Sequence, residues 1–265
     1  MTAPAPLHKP VAVFDSGIGS YTAVAALRRA LPRQDILYFA DRASFPYGGK
    51  DLPTLLAILR RSLHWLESFD PAAILVASNA PSITVLDRLQ DVVPMPVFGV
   101  RPPLRAALAA TDGPVAVLGV KSLVESPQMR AFAAQEAGAQ TRRLRLVNAS
   151  PLVEQVENGA FLAHPAAVQR AVDTFVASLG DVAALTLSST HLPWLRPFIE
   201  RAAPGLPLFD PLDAAIAAIL PLAVAGSGST LALATETPAY PLADFQHLLD
   251  RLGANVRVVR QPALG

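Results

Sequence analysis

Short apolar runs alternate along the chain with longer segments that carry apolar residues at helical spacing. Eight runs are predicted strands: residues 11–14, 36–39, 73–77, 97–100, 115–119, 144–147, 183–187 and 206–209. The clearest predicted helices are residues 22–30, 52–69, 82–90 and 166–179. Because most of the strands are apolar throughout instead of alternating, they suit parallel strands covered on both faces. The pattern therefore predicts an α/β fold with mostly parallel sheets.

The same pattern occurs twice. The run VAVF at 11–14 leads into a polar turn and a helix, and VAVL at 115–118 does the same 104 residues later. Likewise AILVA ends in the turn SNAP, and AALTL ends in SSTH. This repetition predicts two pseudo-symmetric domains, with chance similarity between apolar strands as the alternative. Because ligands bind outside the carboxyl ends of parallel strands, we expect an active-site cleft between the domains.

Composition narrows the class of protein. The 265 residues are 52% apolar and 16% charged, which excludes intrinsic disorder and predicts a large core. A net charge of +1 provides no field that would steer the chain to nucleic acid. Cysteine is absent, which excludes disulfides, thiolate metal sites and thiol nucleophiles. The histidines show no metal-ligand spacing, and neither a dinucleotide fingerprint nor a Walker A sequence occurs. We therefore expect no metal and no cofactor.

Membrane association is also not expected. The uncharged stretch Ala214–Thr235 is interrupted by Pro221 and by a GSGS sequence, so it predicts a buried helix, a turn and a strand. No apolar segment typical of a secretory signal precedes Asp15. The expected location is cytoplasmic, with no membrane partner.

Polar turns at the predicted strand ends are the first candidate sites. DSGIGS at Asp15–Ser20 opens a helix, where Gly17 and Gly19 would let an anionic ligand approach backbone N–H groups. An ordinary capped helix start is the alternative. SNAPS at 78–82 and SSTHLP at 188–193 carry hydroxyl and amide groups that can bind a carboxylate or an ammonium group. Turns that hydrogen-bond their own backbone are the alternative there.

Three further side chains could carry chemistry. A serine nucleophile needs an adjacent base, and His191 lies three residues after Ser188. The loop FPYGGK could present the Tyr47 hydroxyl and backbone N–H groups to a ligand, with a simple β-turn as the alternative. Glu157 in VENG follows an apolar stretch, and an exposed carboxylate at a helix end is its alternative.

Together these motifs resemble the cofactor-independent aspartate/glutamate racemase superfamily, and most closely its glutamate racemases. The resemblance runs from about Val11 to Ile219 and depends on six segments: VFDSGIG, YFADRASFPYGGK, SNAPS, VENG, STHLP and Asp210 of LFDP. It implies that the second domain is inserted in the first. Residues 1–97 and 207–265 would form the first domain, and residues 98–206 the second.

The resemblance also implies roles for individual residues. The family uses two cysteines on opposite faces of the α-carbon; here Ser78 occupies one position, and Ser188 or Ser189 the other. Alignment on the shared Thr-His selects Ser189. Asp15 would assist Ser78, while Glu157 and His191 would assist Ser189. The implied substrate-binding residues are Ser16, Pro46, Tyr47, Gly48, Asn79, Ala80 and Thr190. Ala80 stands where the family has threonine, and Leu123 lies near another substrate-contacting threonine position.

A serine hydroxyl ionises far less readily than a thiol, so we expect thiol-based racemisation to be impaired. The resemblance implies an isomerase of the amino-acid racemase type that binds an acidic amino acid or dicarboxylate, with a role in peptidoglycan and cell-wall synthesis. A homodimer is implied in the same way. One alternative is a catalytically lapsed homologue that acts as a ligand-binding or regulatory protein. Another is a different reaction on the same scaffold, such as decarboxylation or hydrolysis.

Overall fold

A computed structural model describes residues 6–264. Its ten strands are β1 Val11–Asp15, β2 Ile36–Ala40, β3 Ala73–Val76, β4 Val97–Gly99, β5 Val115–Gly119, β6 Leu144–Asn148, β7 Ala184–Leu187, β8 Leu208–Phe209, β9 Thr230–Ala234 and β10 Val258–Arg260. Its α-helices are α1 Tyr21–Ala30, α2 Leu52–Glu67, α3 Asn79–Thr84, α4 Leu104–Ala109, α5 Lys121–Val124, α6 Pro127–Ala137, α7 Ser150–Glu157, α8 Ala160–Ala163, α9 Pro165–Ser178, α10 Arg196–Ala202, α11 Pro211–Ile219 and α12 Leu242–Arg251.

The strands form two sheets. The first has the order β10-β9-β2-β1-β3-β4 and the second the order β6-β5-β7-β8. Neighbouring strands run parallel throughout both sheets. The expected α/β fold with two parallel sheets is therefore confirmed. The proposed domain boundaries stay a prediction; β4 pairs in the first sheet, and β8 pairs with β7 in the second.

The central strands are buried on both faces, as their apolar character indicates. Every residue of β1 and β2 is buried. One continuous apolar cluster joins side chains of both sheets, including Val13 and Tyr38 of the first and Leu118 and Leu187 of the second. This shared core holds the carboxyl ends of the two sheets near each other.

The helix predicted over residues 82–90 is wrong in its bounds. Helix α3 begins at Asn79, immediately after the serine turn, and ends at Thr84; a short 3-10 turn follows at Leu86–Arg88. Pro81 fits the first turn of a helix because its missing N–H has no partner to lose there. The Ser82 hydroxyl donates to the Ser78 carbonyl oxygen at 2.6 Å, which ties the SNAPS turn into the helix.

The uncharged stretch from Ala214 forms the end of α11, a turn and strand β9, as predicted. Within residues 6–264, no helix combines the length and the apolar character needed to cross a bilayer. The prediction that no secretory signal precedes Asp15 covers residues 1–5. These five residues lie outside the described residues.

Candidate active site

A single cavity of about 1230 Å³ lies at the carboxyl ends of the strands, with residues from both sheets in its wall. The twelve residues singled out from the sequence all line it: Asp15, Ser16, Pro46, Tyr47, Gly48, Ser78, Asn79, Ala80, Glu157, Ser189, Thr190 and His191. The convergence follows from topology, because β1, β3 and β7 end at the turns that carry most of these residues. Their catalytic and binding roles stay predictions.

The second serine turn forms a relay of side chains. Ser189 Oγ lies 3.5 Å from His191 Nδ1, and His191 Nε2 lies 2.8 Å from Glu157 Oε2. Ser189 and His191 follow β7, whereas Glu157 is the last residue of α7, so the relay joins two separate segments. The Glu157 side chain is only 15% exposed, which contradicts the alternative of an exposed carboxylate.

The partners of Glu157 determine which ring nitrogen of His191 donates a hydrogen bond. Glu157 Oε1 accepts from Arg42 Nη1 at 2.6 Å, and Oε2 accepts from the Ile18 backbone N–H at 3.0 Å. Burial alone would raise the pKa of Glu157, but the hydrogen bond from His191 and the Arg42 charge bring it below its usual value. Because an ionised carboxylate only accepts hydrogen bonds, His191 must donate from Nε2. A neutral His191 then presents its Nδ1 lone pair to Ser189.

Arg42 is a site residue that the sequence analysis missed. Its Nη1 also donates to the Ser16 carbonyl oxygen at 2.8 Å, so one guanidinium ties the first turn to Glu157. The Arg42 guanidinium carbon lies 4.7–5.2 Å from the ring centres of Phe45, Tyr240 and Phe245. Tyr240 and Phe245 bring the C-terminal segment to the cleft wall. Cation–π contacts and the ion pair together fix Arg42 at this position.

The glycines of the first turn admit side chains of the protein. A Cβ atom on Gly19 would lie 2.3 Å from His191 Nδ1, and one on Gly17 would lie 3.0 Å from Glu157 Oε2. The N–H of Ile18 in this turn donates to Glu157, while Gly17 also lines the cavity, so the approach of an anionic ligand to the turn stays a prediction. Neither the 3-10 turn Ile18–Ser20 nor α1 has a side-chain cap, so the capped-helix alternative is wrong.

Tyr47 also differs from the prediction. Its hydroxyl donates to Asp41 Oδ2 at 3.3 Å and is therefore directed to a buried carboxylate. Burial and the Asp41 charge raise the pKa of Tyr47 well above its usual value. The adjacent Gly48 allows close packing between the two halves, since a Cβ there would lie 2.7 Å from Ser122 Oγ. Tyr47 thus shapes the cleft with its ring.

The first serine turn lies beside an acid. Burial raises the pKa of Asp15 to about 6, and hydrogen bonding from the Ser16 backbone and the neighbouring Ser78 hydroxyl offsets part of the rise. In the same turn, Asn79 Nδ2 donates to the Val100 carbonyl oxygen at 3.0 Å. Asn79 lines the cleft, and its buried Oδ1 accepts no hydrogen bond from the described residues, which leaves an unsatisfied acceptor beside the cavity.

The raised Asp15 pKa predicts a pH-dependent stability. The folded state binds this proton more tightly than the unfolded state, so the stabilisation is complete below the ordinary value of 3.8 and is lost as pH rises through about 6. Between about pH 4 and pH 7, we expect the unfolding free energy of the wild type to fall by about 3 kcal/mol relative to Asp15→Asn. Urea unfolding of both proteins at a series of pH values measures this difference.

Asp35→Asn serves as the control with the opposite sign. Burial alone would raise the pKa of Asp35, but hydrogen bonds from the His8 N–H, the Ser227 hydroxyl and neighbouring backbone groups lower it overall. Its stabilisation should therefore be lost as pH falls. A pH-independent difference between the wild type and Asp15→Asn would contradict the raised pKa of the buried Asp15 carboxyl.

Within the described residues, no group of three or more His, Asp or Glu side chains is arranged to hold a metal ion. The polar groups of the cleft are instead hydroxyl, carboxyl, amide and imidazole groups from both sheets. Two parallel sheets facing one cleft with acid–base side chains on both sides define the class, an α/β protein with its candidate site at the carboxyl ends of the strands.

Comparison with known proteins specifies the family. Residues 24–219 match the family model described as Asp/Glu/Hydantoin racemase. A glutamate racemase of Thermus thermophilus is 36% identical over 270 residues, which covers 96% of each chain. The chain therefore belongs to the Asp/Glu/hydantoin racemase family.

Solved structures agree with this assignment. A Thermus thermophilus glutamate racemase in complex with β-chloro-D-alanine is 32% identical, with a TM-score of 0.72 and 96% of each chain covered. A glutamate racemase isoform from Bacillus anthracis has a TM-score of 0.82 at 24% identity, covering 97% of this chain and 99% of that one. Because its identity is only 24%, the Bacillus anthracis structure supports the fold alone.

Proposed function

We propose that the cleft binds a small acidic amino acid or a related dicarboxylate and exchanges its α-proton slowly, without a cofactor. One observation carries this proposal: a single cavity holds two serine turns, each beside its own acid–base group. Ser78 has Asp15 as its neighbour, and Ser189 has His191. The β-chloro-D-alanine bound to the Thermus thermophilus relative is a small neutral amino acid, which supports an amino-acid ligand, and the name glutamate racemase of that relative supports an acidic one.

The proposed reaction uses the two turns as opposite proton sites. In one direction, Ser78 takes the α-proton while passing its own proton to Asp15, and Ser189 delivers a proton to the other face of the α-carbon. For this step His191 is in its imidazolium form: it gives its Nδ1 proton to Ser189 and keeps its Nε2 hydrogen bond to Glu157. The opposite enantiomer reacts in reverse. Asn79 Oδ1 is the proposed acceptor for the substrate ammonium group, because it is otherwise without a partner among the described residues.

Serine chemistry makes this exchange slow. A cysteine ionises near pH 8.5 and a hydroxyl closer to the roughly 15.7 of water. The difference of about 7 units corresponds to about 10 kcal/mol for a fully formed alkoxide. Transfer of the serine proton to Asp15 or His191 as the α-proton arrives avoids part of this cost. Impaired racemisation is therefore part of the proposal.

The absence of both thiols favours a second candidate function, that of a lapsed racemase homologue that binds its ligand for regulation. It needs the same pocket without proton exchange. A homodimer and a cytoplasmic location also stay predictions for this protein.

Incubation with D- and L-glutamate in D₂O distinguishes the two functions. We expect slow incorporation of deuterium at the α-carbon, detected by NMR, which falls to the rate of buffer with the double variant Asp15→Asn, His191→Asn. Saturable binding without exchange would select the lapsed homologue. Absence of both binding and exchange, also with aspartate and simple dicarboxylates, would contradict both candidates.

A further inference from the structure

We infer that Ser189, His191 and Glu157 form a serine acyl-transfer site that cleaves activated esters. This reaction goes beyond α-proton exchange and needs no amino-acid ligand, so it stands or fails separately from the proposed function. Nucleophilic serine sites are recognised by geometry: a nucleophile within reach of a base, and a base oriented by a third group. The second serine turn has all three parts.

The geometry directs one ring nitrogen of the base to the nucleophile. His191 Nε2 bonds to Glu157, so in the neutral ring the lone pair of Nδ1 faces Ser189 Oγ at 3.5 Å. This separation is at the long end of a hydrogen bond, and such contacts are often looser before a substrate binds. Ser189 lines the cavity, so an ester can reach its hydroxyl from the cleft.

The base is held in place from two sides. Gly17 and Gly19 lie against the imidazole ring, where a Cβ on Gly19 would collide with it and one on Gly17 would make a tight contact of 3.1 Å. Glu157 is anchored by the Arg42 ion pair at 2.6 Å and by the Ile18 N–H at 3.0 Å. An acid fixed in this way keeps the imidazole in one tautomer and stabilises the imidazolium that forms during attack.

The neighbouring serine lacks this arrangement. Ser188 follows strand β7 directly and is fully buried, and its hydroxyl shares a hydrogen bond of 2.8 Å with Thr186 Oγ1 of that strand. Ser188 therefore provides a matched control one residue away from the nucleophile.

The chemical steps balance without a further reactant besides water. Ser189 Oγ bonds to the ester carbonyl carbon and gives its proton to His191 Nδ1. The tetrahedral intermediate then expels the alcohol, which takes that proton, and leaves an acyl group on Ser189. Water next attacks the acyl carbon and loses a proton to His191. The carboxylic acid departs, and the proton returns to Ser189 Oγ.

We expect ester cleavage at this site to be slow, so the test needs a reactive probe. Loss of one oxyanion-hole donor costs about 10²–10³ in rate, and no such donor pair is assigned in this cleft. A p-nitrophenyl ester compensates because its leaving group departs readily. A fluorophosphonate probe reports the same nucleophile by attack of Ser189 Oγ on phosphorus with loss of fluoride and transfer of the proton to His191.

The test treats the full chain with a fluorophosphonate and with p-nitrophenyl acetate. We expect one phosphonyl group per chain, mapped to Ser189 by peptide mass spectrometry, and ester hydrolysis above buffer. Ser189→Ala should abolish labelling, His191→Asn should slow labelling and hydrolysis at least about tenfold, and Ser188→Ala should leave both unchanged. Circular dichroism verifies that each variant is folded. No label on the folded wild type, a label on Ser78, or labelling of His191→Asn at the wild-type rate would overturn the inference.

Discussion

The double variant Ser78→Cys, Ser189→Cys is expected to exchange the α-proton of glutamate at least about 100-fold faster than the wild type. Each thiol lies where the structure already provides a partner, Asp15 beside Ser78 and His191 beside Ser189. A thiolate is accessible near neutral pH, whereas an alkoxide is not. Ala80 and Leu123 differ from the family pattern, and a misplacement of about 1 Å can cost about 100-fold. The gain should therefore remain below full racemase activity. NMR in D₂O measures it for both enantiomers.

Controls separate thiol acidity from other effects of the substitutions. Each single variant should gain less, because racemisation needs an acid and a base on opposite faces of the α-carbon. Ser78→Cys combined with Ser188→Cys introduces the same two thiols, but the second lies at the position bonded to Thr186 and should give no more exchange than Ser78→Cys alone. If the double variant at Ser78 and Ser189 binds glutamate without exchange, the geometry of the cleft differs from the one proposed.

Replacement of Gly19 by alanine removes no polar group from the site, but it should lower the melting temperature and abolish labelling of Ser189. The added Cβ would lie 2.3 Å from His191 Nδ1, so the ring must move. Overpacking of this kind costs about 1–3 kcal/mol, and each kcal/mol lowers the melting temperature of a large domain by roughly 2–4 °C. Fluorophosphonate labelling of Ser189 should be lost as the base is displaced. Thermal unfolding and mass spectrometry measure the two effects.

Gly49→Ala is the matched control. Its added Cβ would meet only Pro46 Cγ at 3.7 Å, an ordinary van der Waals contact. We expect a melting temperature and labelling close to those of the wild type. Gly19→Ala with unchanged stability and unchanged labelling would mean that His191 does not pack on this turn.

The fold could be predicted largely because its strands are buried on both faces. Their uninterrupted apolar runs mark them in the sequence, and strand ends in parallel sheets converge, which also brought the twelve candidate residues to one cavity. Strand β10 was missed because it is an edge strand of three residues, with Val259 and Arg260 exposed. The predicted bounds of helix α3 were wrong because the start of this helix depends on hydrogen bonds within the SNAPS turn.

The direction of individual side chains could not be read from the sequence. Arg42 is one of many arginines, and only the fold brings it to Glu157, 115 positions further along the chain. Tyr240 and Phe245 lie beyond the segment that carries the family motifs, yet they complete the wall around Arg42. Gly17 and Gly19 indicated a close approach correctly, but the approaching groups are Glu157 and His191.

Calorimetric titration of the wild type with D- and L-glutamate tests most directly whether the cleft binds an acidic amino acid. We expect saturable binding of both enantiomers, because each of the two serine turns presents a hydroxyl and an acid–base group to the cleft. Asn79→Ala should weaken binding by removing the proposed ammonium acceptor, while Gly49→Ala should leave it unchanged. Absence of binding for both enantiomers, for aspartate and for simple dicarboxylates, by a protein shown to be folded, would contradict the proposed site.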